Sequence, residues 1–117
     1  MTTERNIIIH QGQAFALSLP YSGTAGRGQR MKIKASDAAG AATIQSLTHN
    51  GATNARVIFN AGTQEIDCTI GASVSAAWMV GANRVEWVYD TEDYSLTDTD
   101  DVVIPYRGKA IVYGNRT

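Results

Sequence analysis

Met31-Lys32-Ile33-Lys34-Ala35-Ser36 alternates apolar and polar side chains, residue by residue. Successive side chains of an extended chain point to opposite faces, so this stretch carries one oily and one charged face. The same period recurs outward in both directions. Phe15, Leu17 and Leu19 alternate with Ala16 and Ser18; Ile66, Cys68 and Ile70 alternate with Asp67 and Thr69; Val85, Trp87 and Tyr89 alternate with Glu86 and Asp90. Val57 and Phe59 repeat the pattern around Ile58, and Ile111 and Tyr113 close the chain. Turn residues separate the segments: Ser22-Gly23 through Gly28, Gly40, Ala61-Gly62, Gly71 and, as the strongest single turn signal, Asn50-Gly51. Short strands at this spacing predict an all-β domain, an antiparallel β-sandwich of immunoglobulin-like or jelly-roll-like type.

One stretch departs from that period. Ala72 to Val80 is alanine-rich, lies between Gly71 and Gly81, and carries Val74, Ala77 and Trp78 at helical spacing. It predicts one short helix around 72–80, with Ser73 as N-cap. Ala35 to Thr43, rich in small residues, reads as a loop. Residues 1–117 read as a single domain with short flexible arms at both ends, Met1-Thr2-Thr3-Glu4-Arg5 and Gly114-Asn115-Arg116-Thr117, that order on assembly.

Composition narrows the function classes. Ten Lys and Arg stand against eleven Asp and Glu, for a formal net charge of -1, so nothing points to a nucleic-acid partner. No apolar run approaches the ~20 residues of a membrane helix. The N-terminus has no apolar leader pattern, and synthesis in a cytoplasm is expected. With the single cysteine Cys68, no intrachain disulfide forms; its place in a strand between Ile66 and Ile70 predicts a core side chain rather than a nucleophile. His10 and His49 have no Cys or second His at ligand spacing and read as strand-end residues. Gly23, Gly26 and Gly28 lack the Lys-Ser/Thr that completes a phosphate-binding loop. No catalytic residue and no cofactor is expected.

Charge is locally concentrated. Asp90, Glu92, Asp93, Asp98, Asp100 and Asp101 place six of the eleven acids within twelve residues. Such carboxylates are hard oxygen donors, which makes Asp98, Asp100 and Asp101 weak candidates for a calcium site, although no EF-hand pattern surrounds them. A basic counterpart lies in Arg27, Arg30, Lys32 and Lys34. The two sets, Arg27, Arg30, Lys32 and Lys34 with Asp93, Asp98, Asp100 and Asp101, are interface candidates that would meet across a subunit boundary in a homo-oligomer.

The opening Ile7-Ile8-Ile9-His10-Gln11-Gly12-Gln13-Ala14-Phe15, the glycine-containing loop before Met31-Lys32-Ile33-Lys34, the strand pair Ala55 to Phe59 and Glu65 to Ile70, the turn Val74-Ser75-Ala76-Ala77-Trp78, the long strand Arg84 to Asp90 and the closing Tyr106-Arg107-Gly108-Lys109-Ala110-Ile111-Val112-Tyr113 come in a telling order. That order resembles the β-sandwich domain at the N-terminus of tailed-bacteriophage baseplate upper proteins and its stand-alone relatives, over about residues 6 to 117. The chain departs from the family in the acidic stretch 90–101, where relatives carry a shorter hairpin. The resemblance implies a virion part that docks to other virion proteins and has no catalytic residues.

The expectation is therefore a non-enzymatic structural protein of a tailed phage virion: a head decoration or cement protein, or a small tail, collar or baseplate component. Its partners would be itself, as a homo-oligomer, and other virion proteins such as a major capsid or tail protein, with no nucleic acid and no membrane. The alternative is a carbohydrate or cell-surface binding module, with Trp78 and Tyr94 beside the acidic loop and assisted by calcium. A small hydrolase would need a nucleophile and base that the sequence does not bring together.

Overall fold

The structure is a computed structural model that describes residues 2–49, 51–78, 80 and 83–114. The chain forms β1 (Thr3–Glu4), β2 (Ile7–His10), β3 (Phe15–Pro20), β4 (Gly28–Lys34), β5 (Thr43–Thr48), β6 (Ala55–Asn60), β7 (Glu65–Ile70), α1 (Ala72–Ala76), β8 (Arg84–Tyr94), β9 (Val102–Val103) and β10 (Tyr106–Tyr113). The alternation read from the sequence is the alternation of burial. Met31 and Ile33 of β4, Ile66, Cys68 and Ile70 of β7, and Trp87 and Tyr89 of β8 face one core cluster, which Ile7, Ile9, Leu19, Leu47, Val57, Ala110 and Val112 complete. The all-β class holds.

The strands make one mixed sheet in the order β1-β10-β8-β4-β5-β6-β7-β3, with β2 also on β10 and β9 on β8. It consists of two arms. In the first, β8 lies between antiparallel neighbours β10 and β4, and β5 continues from β4. In the second, β7 lies between antiparallel β6 and β3. A single parallel bridge, Thr48↔Arg56, joins the arms, so the sheet curls from one into the other without a break. Both arms supply the same core. Pairing is not purely antiparallel as expected: β1 and β2 both join β10 in parallel.

Several local expectations are corrected. The N-terminal pentad is not a free arm, because Thr3 N–H donates to Pro105 O at 2.8 Å and Arg5 N–H to Arg107 O at 2.9 Å. Gly114 N–H donates to Asn83 O at 2.8 Å; Asn115 to Thr117 and Met1 lie outside the described residues. The helix spans Ala72–Ala76 only. Its N-cap is Gly71, with no side-chain cap, rather than Ser73. Trp78 follows the helix and enters the core beside Trp87, the rings 5.8 Å apart and edge-to-face. Met79, Gly81 and Asn50 of the Asn50-Gly51 turn lie outside the described residues. Strand β5 was hidden in the sequence by Gln45, a polar residue whose Oε1 accepts the Trp78 Nε1–H at 3.2 Å. A register shift beside it at Ile33/Lys34 breaks the period further.

Gly108 fixes how the N-terminus packs. A Cβ there would lie 2.2 Å from Arg5 O. This approach lets Tyr89 Oη donate to the same carbonyl at 2.6 Å and Lys109 N–H donate to Asn6 Oδ1 at 3.0 Å. Gly108→Val therefore displaces β1 and the β1–β2 link from β10. The expected loss is about 2 kcal/mol of unfolding free energy in urea titration; an unchanged midpoint would refute this role for the glycine.

Candidate functional site

The antiparallel register of β4 and β8 places the basic strand opposite the acidic one: Arg30 pairs with Glu92 and Lys32 with Asp90. The sequence assigned these charges to two sides of a subunit boundary. Four of the eight, Arg27, Arg30, Asp93 and Asp101, instead form ion pairs inside one chain. Arg30 Nε bonds Glu92 Oε1. Arg27 makes a two-pronged contact with Asp101, NH1 to Oδ2 at 2.8 Å and NH2 to Oδ1 at 3.0 Å, while its Nε donates to Asp93 Oδ1 at 3.0 Å.

Asp93 anchors this group. Its side chain points inward from β8 and is only 2% exposed. An isolated carboxylate at that depth is costly, but three donors meet it: Tyr21 Oη, Arg27 Nε and, at 3.2 Å, Gln29 Nε2. Thr91, the next inward residue, is satisfied by both main-chain groups of Tyr106. These partners explain why β8 runs to Tyr94 where the sequence pointed to an acidic loop from Asp90. Burial, then the Asp93 hydrogen bond, pushes the Tyr21 hydroxyl up to about 12. Hydrogen bonds to Asp101 and then Asp93 raise Arg27 further above its already high range, and Arg27 in turn holds Asp101 below the usual carboxylate value.

The loop after β8 is built from its own polar groups. Ser95 Oγ accepts from the N–H groups of Thr97 and Asp98 at 3.2 and 3.1 Å, and Asp98 Oδ1 accepts from Asp100 N–H at 3.0 Å. Asp98, Asp100 and Asp101 do not converge as metal ligands: Asp101 faces Arg27 and Asp98 folds onto its own loop. Among the described residues no group of three His, Cys, Asp or Glu side chains has ligand geometry.

The aromatics named for sugar binding are occupied. Trp78 is buried. Tyr94 packs on Gly28, where a Cβ would fall 2.4 Å from the ring, carries the Arg30 guanidinium 4.5 Å from its centroid, and hydrogen-bonds His49 Nδ1 at 3.2 Å. His10 stacks on Tyr113. Cys68 is a core side chain whose thiol burial pushes up to about 12, far from a reactive thiolate.

What the sequence did not flag is apolar. Of the seven exposed large apolar side chains among the described residues, four lie in one segment: Leu96, Val102, Val103 and Ile104. Val103 pairs with inward-facing Asp93 and lies beside Tyr21 and Pro105. Val102 pairs with Tyr94 and shares a concavity with Leu96, Thr99 and Arg30. Ile104 borders a cleft of about 190 Å³ with Lys32, Lys34, Asp90 and Arg107. Burial raises the Asp90 carboxyl, which the Glu92 charge reinforces and Lys34 and Lys32 oppose. The unbroken triplet Val102-Val103-Ile104 before Pro105 was the readable signal, since a strand with one solvated face would alternate there. No family model matches this sequence, and no curated protein aligns with it significantly.

Asp93→Ala strands three donors and is expected to cost about 3 kcal/mol in thermal or urea unfolding. Because the folded state raises the Tyr21 pKa, its neutral hydroxyl stabilises the fold fully below pH ~10 and loses that contribution as pH climbs toward 12. In Asp93→Asn, spectrophotometric titration should show Tyr21 ionising nearer pH 10. A titration identical to the parent chain's would remove Asp93 as a cause.

Proposed function

We propose that this chain is a non-enzymatic structural protein of a tailed phage particle, a small docking component of the head or tail. The observation that carries the docking role is the exposed segment 96–104, with Leu96, Val102, Val103 and Ile104 held out by a rigid base. Scattered exposed apolar residues are ordinary on a monomer, whereas four within one short segment concentrate apolar surface there, which supports a contact with another protein. The loop that presents it is pinned by Arg27 through Asp93 and Asp101, so little ordering entropy is lost on docking.

A second feature supports assembly. Strand order ends at β3, whose outer edge has no strand neighbour among the described residues. Its sequence, Phe-Ala-Leu-Ser-Leu-Pro, has no charged residue to deter pairing, only Pro20 at its end. The attribution to a phage particle rests on the resemblance in the order of sequence features. Four members of the acidic and basic sets, Arg27, Arg30, Asp93 and Asp101, are held in ion pairs within the chain, and Lys32 and Lys34 face Asp90, which leaves Asp98 and Asp100 on the exposed loop.

Immunogold electron microscopy of particles purified from cells that carry this sequence tests the proposal. Label on tailed particles is expected, and Val102→Asp should remove it while leaving the thermal midpoint within about 1–2 °C of the parent, as for a surface change. Particles without label from the unaltered chain would contradict the role.

A further inference from the structure

Two arginines at the tip, Arg27 and Arg30, begin their ion pairs in the same way and end them differently. Arg27 donates from Nε to Asp93 Oδ1 at 3.0 Å and turns NH1 and NH2 onto the two oxygens of Asp101, at 2.8 and 3.0 Å. One guanidinium thus serves two carboxylates, the first through Nε and the second through its fork. Arg30 repeats only the first half. Its Nε bonds Glu92 Oε1, and its guanidinium lies 4.5 Å from the centroid of the Tyr94 ring. Tyr94 is itself held by the hydrogen bond between its hydroxyl and His49 Nδ1 at 3.2 Å. Among the described residues, nothing engages NH1 or NH2 of Arg30 in a hydrogen bond or ion pair.

Arg30 lines a concavity of about 260 Å³ with Tyr94, Ser95, Leu96, Thr99 and Val102. Leu96 and Val102 are exposed and make its apolar wall. A guanidinium fixed in plane, with its fork unfilled and aliphatic surface beside it, fits a carboxylate that has an aliphatic neighbour. We infer that the Arg30 fork and this concavity capture an acidic side chain flanked by aliphatic residues on a partner protein. The fork takes both carboxylate oxygens, as the Arg27 fork takes those of Asp101, and the aliphatic neighbours cover Leu96 and Val102. A side chain fits better than a chain end, because exposed apolar residues continue past the concavity at Val103 and Ile104. Asp98 and Asp100 stand on either side of Thr99 and carry the ligand's own sign of charge, so recognition depends on the fork and the apolar wall together. Glu92 and Tyr94 hold the guanidinium in place before the ligand arrives, which lowers the ordering cost of binding. The inference rests on the docking role proposed for segment 96–104 and specifies the chemistry of its partner.

Nuclear magnetic resonance titration of the whole chain with three blocked peptides tests this. The first is acetyl-Gly-Leu-Asp-Leu-Gly-amide; the second has Asn in place of Asp, and the third has Ser in place of both Leu. The first should shift the Arg30 Nε–H signal and the amides of Leu96, Thr99 and Val102 to saturation. The other two should bind about tenfold more weakly or worse. Arg30→Lys keeps the charge but loses the fork, and it should weaken the first peptide as much as Arg30→Gln does. The peptide comparison uses the unaltered chain, so it stands whether or not an Arg30 variant folds. Equal binding of the Asp and Asn peptides, or undiminished binding to Arg30→Lys, overturns the inference. Tighter binding of acetyl-leucine, with its free terminal carboxylate, than of the first peptide overturns the choice of a side chain. If the first peptide shifts nothing while Val102→Asp still strips label from particles, this recognition alone fails. If the peptide binds and particles carry no label, the virion role alone fails.

Discussion

The antiparallel ladder between β4 and β8 organises much of this molecule. Its register sets Arg30 against Glu92 and brings Arg27, just ahead of β4, to Asp93 on β8. Asp93 is buried, and a buried carboxylate persists only where donors surround it. Tyr21, Arg27 and Gln29 supply them, which ties the end of β3, the start of β4 and the end of β8 into one unit. Through Arg27 the same unit reaches Asp101 and fixes the loop that follows β8.

That arrangement separates charges used for folding from charges left for contact. Arg27, Arg30, Glu92, Asp93 and Asp101 form ion pairs within the chain. Lys32 and Lys34 border a cleft with Asp90 and Ile104, and Asp98 and Asp100 lie on the exposed loop within segment 96–104.

Most strands were legible because their inward positions are apolar. The period-two runs at Met31, Ile66 and Val85 gave the right faces, and Cys68 was placed correctly in the core. The missed strand β5 and the early end given to β8 share one cause. Gln45, Thr91 and Asp93 are polar residues in inward positions, and each is satisfied by a partner far away in sequence: Trp78, Tyr106, and the trio of Tyr21, Arg27 and Gln29. Hydrophobic periodicity is blind to such pairs, so β5 was missed and β8 was cut short at Asp90. The candidate site was half visible. The charged residues were singled out, but which of them neutralise each other depends on strand register, which the sequence does not state. The apolar triplet Val102-Val103-Ile104 was readable and was overshadowed by the acids before it.

The central claim is that the outer face of the β4–β8–β9 tip is a docking surface. Hydrogen exchange read by mass spectrometry, on the free chain and on the chain within purified tailed particles, tests it without altering a residue. Slower exchange in the particles confined to peptides covering 28–34 and 93–104 is the predicted result. Protection that appears over 15–20 at the open edge of β3, with none over 93–104, would contradict it.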